Sequence, residues 1–134
     1  MKRGAAAGST SERILATATE YLSAHHDRDV SPADAARVAG VGLRALQLAF
    51  RKGLDTTPGT WLLNLRLRRA RQLLLAAEDG TSVNSAAHDS GLHHLGRFAQ
   101  HYRQQFGEAP SDTLAAALEL RAVKTPRVPG KISA

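Results

Sequence analysis

Arg44, Gln47, Leu48 and Arg51 stand at helical spacing in a stretch that carries no acid between Asp34 and Asp55. On a wheel of 100° per residue the other three lie within about 60° of Arg44. Arg and Gln are the side chains that grip guanine and adenine edges bidentately in a DNA major groove. Leu48 fits either contact with a thymine methyl or packing. A second stripe follows, with Gly96, Arg97, Gln100, Arg103 and Gln104 on one face, and it too lacks an acid. An acid on such a face would oppose phosphate, so its absence is what a DNA-facing surface requires.

The charge supports this reading more by its position than by its sum. The 134 residues hold 18 Lys and Arg against 12 Asp and Glu, for a net +6. Residues 37–71 contain eight bases (Arg37, Arg44, Arg51, Lys52, Arg66, Arg68, Arg69, Arg71) and one acid, Asp55. The flanking segments are close to neutral. A merely solvated helix surface interleaves acids at i,i+4 spacing, and here they are missing. Lys52, Arg68 and Arg103 are candidate phosphate contacts, with His93 and His94, which precede the second stripe. Helix N-termini near Ser31, Ser82 and Ser111 offer backbone N–H groups for the same purpose. Arg66 fits either a phosphate contact or a structural tie to a neighbouring segment.

Other chemistry is looked for and not found. Cysteine is absent, which excludes disulfides, a thiol nucleophile and thiolate metal sites. The six histidines are joined by no acidic cluster, so no metal site and no cofactor is expected. No catalytic triad, buried carboxylate pair or phosphate-binding glycine loop is visible, so the chain is not expected to be an enzyme. No apolar run approaches the roughly 20 residues of a membrane span, and no secretory leader is seen. A cytoplasmic protein, associated with the nucleoid when bound to DNA, is expected.

These side chains need rigid helices to carry them. Ser11 reads as an N-cap opening a helix to about His25, and Ser31-Pro32-Ala33-Asp34 opens a short one. Further helices are predicted over about 43–52, 59–77, 83–89, 94–105 and 111–121. The fold class is all-α, with about seven helices and no convincing strand. Ser31, Ala36 and Gly40 recur 51 positions later as Ser82, Ala87 and Gly91. Leu46, Phe50, Leu54 and Pro58 then recur 52 positions later as Phe98, Tyr102, Phe106 and Pro110. A capped short helix, a glycine turn and a second helix describe a helix-turn-helix, here present twice. The alanine pairs 35–36 and 86–87 suit a close helix crossing. Leu43, Leu46, Phe50 and Leu54 are expected to face inward in the first unit, and Leu95, Phe98, Tyr102 and Phe106 in the second.

The layout predicted is a disordered arm at 1–10, a first helix-turn-helix subdomain at 11–56, and a connecting helix at 57–78. A second subdomain at 79–121 and a disordered tail at 122–134 complete it. The first unit, with more charge, is expected to supply most of the affinity. Two other readings remain, a helical protein-interaction module and an RNA-binding module. The second would need exposed aromatics for base stacking. Five of the six aromatics fall on apolar faces, leaving Trp61 undecided.

The chain resembles the DNA-binding domain of the AraC/XylS family of transcription regulators over about residues 11–121. The resemblance rests on Arg44-Ala45-Leu46-Gln47 with Phe50-Arg51, on Leu54-Asp55-Thr56-Thr57-Pro58, and on Leu65 to Arg71 with Leu73-Leu74. Its most specific stretch is Gly96-Arg97-Phe98-Ala99 through Tyr102 to Phe106-Gly107-Glu108-Ala109-Pro110-Ser111. It implies a sequence-specific binder of double-stranded DNA whose two recognition helices enter successive major grooves, with RNA polymerase as a further partner. It carries base reading onto Gly42, Arg44, Gln47, Leu48 and Arg51, and onto Arg97 and Gln100. The chain departs from the family pattern at Gly42, where Ser is usual, at Asp55, where Gly is usual, and at Leu92, where Phe is usual. Asp55 is expected to sit strained in a left-handed conformation. Many members carry an effector or dimerisation domain, for which 134 residues leave no room, so the chain is expected to be either a stand-alone regulator or a fragment, and its ragged ends favour the fragment.

Overall fold

A computed structural model describes residues 9–124. It contains seven helices and, among the described residues, no strand: α1 (Thr10–His25), α2 (Pro32–Val38), α3 (Leu43–Leu54), α4 (Pro58–Ala76), α5 (Val83–Asp89), α6 (Leu95–Phe106) and α7 (Pro110–Lys124). The all-α expectation holds. Most of the arm expected at 1–10 and most of the tail expected at 122–134 lie outside the described residues. The chain divides within α4, between Arg66 and Leu67, into two compact units.

Helix starts follow from local side-chain chemistry. The cap of α1 is Ser9, not Ser11: the Ser9 hydroxyl accepts from Glu12 N, and the Glu12 carboxylate accepts from Ser9 N at 2.6 Å. Ser9-x-x-Glu12 is a capping box, and Ser11 has no glutamate three residues on. Ser31 and Ser82 cap α2 and α5 with nearly identical backbone angles (φ −131°, ψ 164° and φ −133°, ψ 168°). The third residue of the box is Asp34 in α2 and Ser85 in α5. Hydrogen bonds from the Ser31 backbone and hydroxyl, with Arg37 alongside, hold the Asp34 carboxyl below its ordinary range. Thr57 caps α4, its hydroxyl accepting from Thr60 N at 3.1 Å. The last helix starts one residue earlier than expected, on buried Pro110, and runs on to Lys124 rather than ending near Arg121.

Both short helices end in the same way. Gly40 and Gly91 take left-handed backbone (φ 75° and 85°). In the first turn Val41 N donates to Ala36 O and Gly40 N to Arg37 O, each at 3.0 Å. In the second, Leu92 N donates to Ala87 O at 2.8 Å and Gly91 N to His88 O at 3.0 Å. This paired pattern is a Schellman motif, which glycine closes without steric cost. The two twelve-residue helices that follow also end alike, in left-handed residues: Asp55 (φ 52°) after α3 and Gly107 (φ 79°) after α6. The left-handed conformation expected at Asp55 is therefore present.

In the first unit the core is Ala18, Leu22, Ala35, Ala36, Leu46, Phe50 and Leu62. The alanine pair is buried, as a close crossing needs. Trp61 packs against this core with its ring edge-on to Phe50, centroids 6.1 Å apart, which settles the aromatic left undecided. Gly53 allows α1 to come close, since a Cβ there would lie 2.5 Å from Leu15 Cδ2. Arg66 is structural. Its Nε donates to His26 O at 2.8 Å and one terminal nitrogen to Arg28 O at 2.9 Å, closing the loop after α1. Burial lowers its pKa, although the guanidinium stays charged.

In the second unit Ala86, Ala87, Phe98 and Tyr102 are buried, with Ala117 from α7. The Tyr102 hydroxyl donates to Thr113 Oγ1 at 2.7 Å, and Thr113 donates onward to the Glu108 carboxylate. Burial pushes the Tyr102 hydroxyl above the usual tyrosine range, so it remains a donor at physiological pH. Arg71 lies over the Phe106 ring, 5.1 Å from its centroid. Arg121 donates to the carbonyl of Ala77 at the end of α4, satisfying a group the helix leaves open.

Two stability changes are expected. Lysine cannot reach two carbonyls in a fixed fork, so Arg66→Lys should lower unfolding free energy by about 1–2 kcal/mol. Asp55→Gly should raise it by about 1 kcal/mol by relieving the left-handed backbone, because the exposed pair with Arg51 at 3.6 Å contributes little. Urea denaturation measures both, and a destabilising Asp55→Gly would show that the backbone there is not under strain.

Candidate nucleic-acid interface

The inward faces of α3 and α6 fix what the outward faces show. In α3 the buried residues are Leu46, Ala49 and Phe50. Leu43 and Leu54, expected to point inward, are each 42 % exposed, in the first and last turns of α3. Leu95 departs in the same way at the start of α6, at 43 % exposure. Phe98 and Tyr102 are buried there, and Phe106 is half-buried.

With that side turned in, Arg44, Gln47, Leu48 and Arg51 are all exposed on α3. Leu48 is 59 % exposed, so among the described residues it is not a packing residue. Gly42 caps α3 without a side-chain hydrogen bond and is itself exposed. Lys52 is exposed one position beyond Arg51, whose guanidinium lies 3.6 Å from Asp55. Opposite the core side of α6, Gly96, Arg97, Gln100, Arg103 and Gln104 are likewise exposed. Gly96, Ala99, Gln100, Arg103 and Gln104 line a shallow hollow on this face. A Cβ at Gly96 would meet nothing within 4 Å, so packing does not demand glycine there.

The supporting candidates divide. Ser31 and Ser82 are exposed caps, whereas Ser111 lies one residue inside α7 beside Asp112, whose carboxylate accepts from Ala109 N. His93 and His94 are exposed in the turn before α6. The His93 ring meets His88 edge-on at 5.3 Å, and His94 occupies the cap position of α6. Arg68 is exposed on α4. Of its neighbours, Arg69 donates to Gln72 at 2.7 Å, and Arg66 and Arg71 serve their own units as described. Among the described residues no group of three or more His, Asp or Glu is placed to hold a metal ion. None of their helices is long and apolar enough to cross a membrane.

Sequence reasoning missed Ala49 as core and the Tyr102–Thr113–Glu108 chain. On the wheel Ala49 lies about 60° from Leu46, on the side away from Phe50, at the edge of the inward face.

Two short-helix, glycine-turn, long-helix units, each with an acid-free Arg/Gln face outward, define a tandem helix-turn-helix module. Residues 35–116 match a family described as a helix-turn-helix domain. The chain is 40 % identical over 102 residues to a probable thc operon regulatory protein of Rhodococcus erythropolis, covering 75 % of this chain and 31 % of that protein. It is 36 % identical over 104 residues to a XylDLEGF operon transcriptional activator of Pseudomonas putida, again covering 31 % of the relative. The chain thus spans about a third of the length of these curated relatives. Among solved structures, a probable AraC family transcriptional regulator from Rhodopseudomonas palustris matches with a TM-score of 0.72 and 32 % identity, over 78 % of this chain and 96 % of that one. The DNA-binding domain of AdpA, solved with a target DNA, matches with a TM-score of 0.71 and 26 % identity, over 80 % and 95 %. The chain belongs to the AraC/XylS family of transcription regulators.

Glycine is a poor helix residue, and at position 96 neither packing nor backbone angle asks for it. Gly96→Ala should therefore stabilise the fold by about 0.5 kcal/mol, the small value reflecting its place in the first turn. A shift of the urea midpoint to lower concentration would count against an open site there.

Proposed function

We propose that this chain is a sequence-specific binder of double-stranded DNA that regulates transcription, and that α3 and α6 are its recognition helices. The observation that carries this is the pair of exposed, acid-free faces on the second helix of each helix-turn-helix unit. In this reading Arg44, Gln47, Leu48 and Arg51 read base edges from the first unit, with Gly42 at the helix start close to the duplex. Arg97 and Gln100 do so from the second unit. Lys52, Arg68, Arg103, His93 and His94 meet phosphates, together with the helix starts at Ser31, Ser82 and Ser111. The AdpA structure with its target DNA and the operon regulators among the relatives support the reading.

RNA polymerase is proposed as a second partner, and the cytoplasm, on the nucleoid when DNA is bound, as the location. No catalytic step is assigned to any residue. The RNA reading is disfavoured because base stacking needs exposed aromatics, and Trp61 is committed to Phe50 and the first core.

The test is binding to a duplex selected from random DNA, measured across a salt series. If about five basic groups neutralise phosphates, log affinity should fall against log salt with a slope of about −4. Arg44→Ala or Gln47→Ala should cost about 1–3 kcal/mol on the selected site and relax base preference at one position. Arg68→Ala should weaken all sequences alike and reduce the slope by about one. Equal losses on every sequence for Arg44→Ala would reduce that residue to a phosphate contact.

A further inference from the structure

We propose that Leu48 is a specificity-determining residue that recognises the 5-methyl group of a thymine. The inference rests on the DNA-binding reading above and names what one side chain of that face reads.

Single exposed leucines are common on protein surfaces and by themselves mean little. Leu48 differs in where it stands. The other exposed leucines of α3, Leu43 and Leu54, occupy its two ends. Leu48 is in the middle of the helix and more exposed than either, at 59 %. It is bracketed by Arg44 one turn before, Gln47 beside it and Arg51 one turn after, all exposed. The core side of the helix is already filled by Leu46, Ala49 and Phe50, so nothing inside the unit calls for an apolar residue at position 48.

The chemistry of the groove then narrows the ligand. Leucine can neither donate nor accept a hydrogen bond. Of the groups that the four base pairs present in the major groove, only the thymine methyl is apolar. Against cytosine the leucine would cover the N4 amino donor and leave it unpaired, so the same side chain also discriminates. The helix rise places Leu48 about 6 Å from Arg44 and about 4.5 Å from Arg51 along the axis. Those intervals are one to two base-pair steps, which puts the thymine in the same short window as the purines read by Arg44, Gln47 and Arg51.

The experiment replaces the thymines of the selected duplex with deoxyuridine, one at a time, removing the methyl and leaving every hydrogen-bonding edge intact. Affinities for the wild-type chain and for Leu48→Ala are measured by fluorescence anisotropy. Alanine at an exposed helix position leaves folding intact, and circular dichroism confirms this. At one thymine the wild type should lose about fourfold, the equivalent of one buried methyl group, and Leu48→Ala should show no loss there. A flat wild-type scan, or a methyl effect that persists in Leu48→Ala, overturns the assignment while selective DNA binding stands. Failure to enrich any duplex overturns the DNA-binding reading, and this inference with it.

Discussion

The Schellman turn at the end of each seven-residue helix governs the direction of the helix after it. Gly40 and Gly91 adopt left-handed backbone that a Cβ would strain, and the crossed hydrogen bonds to Ala36, Arg37, Ala87 and His88 leave the chain one way out. The alanine pairs beside those turns let the next helix cross closely enough to bury Leu46 and Phe50, or Phe98 and Tyr102. Once those aromatics are inside, a 3.6-residue period decides which residues are outside. Arg44, Gln47, Leu48 and Arg51 share a face because Leu46 and Phe50 share the other. In the first unit the chemistry on the surface is thus a consequence of a backbone angle four to eleven residues earlier.

The two units use one scaffold for different surfaces. Through the 52-residue offset Arg44 corresponds to Gly96, Gln47 to Ala99, Leu48 to Gln100, and Arg51 to Arg103. Where the first unit projects long side chains, the second leaves a shallow hollow. The second unit is meanwhile tied together by polar links, with Tyr102, Thr113 and Glu108 in one chain and Arg71 over Phe106. The connector's charge divides accordingly. Arg66 closes a loop of the first unit and Arg71 covers a ring of the second, so much of the positive charge on α4 holds each unit together.

The repeat and the seven helices were legible because each rests on local chemistry: a capping hydroxyl, a turn glycine, a four-residue apolar spacing; the left-handed Asp55 was implied by the family resemblance, in which glycine is usual at that position. What was misread lies where local pattern cannot see the neighbour. Periodicity assigns Leu43, Leu54 and Leu95 a direction, but not how far they are covered in the end turns of α3 and α6. Arg66 answers carbonyls of residues 26 and 28, about forty positions away, and a carbonyl leaves no mark in a sequence. The cap of α1 was different, since Ser9-x-x-Glu12 carries its own signature and Ser11 does not. For the recognition face, direction was legible and occupancy was not. The wheel placed Leu48 on the face of Arg44, Gln47 and Arg51, and only the core filled by Leu46, Ala49 and Phe50 showed that it does not turn inward.

That last point bears on why an apolar side chain belongs on a face selected for polar contact. In the free protein an exposed leucine gains nothing, and an arginine or glutamine in its place would be better solvated. Its value comes only against a surface that offers apolar area of matching size. A groove lined by hydrogen-bonding edges offers one such feature, and it occurs at one base of the four. Arginines attract any duplex through its phosphates before they choose a guanine, so their affinity and selectivity are partly entangled. A leucine has no attraction for phosphate. On the proposed reading, whatever free energy Leu48 contributes is free energy of discrimination, which sets it apart from the arginines of this face.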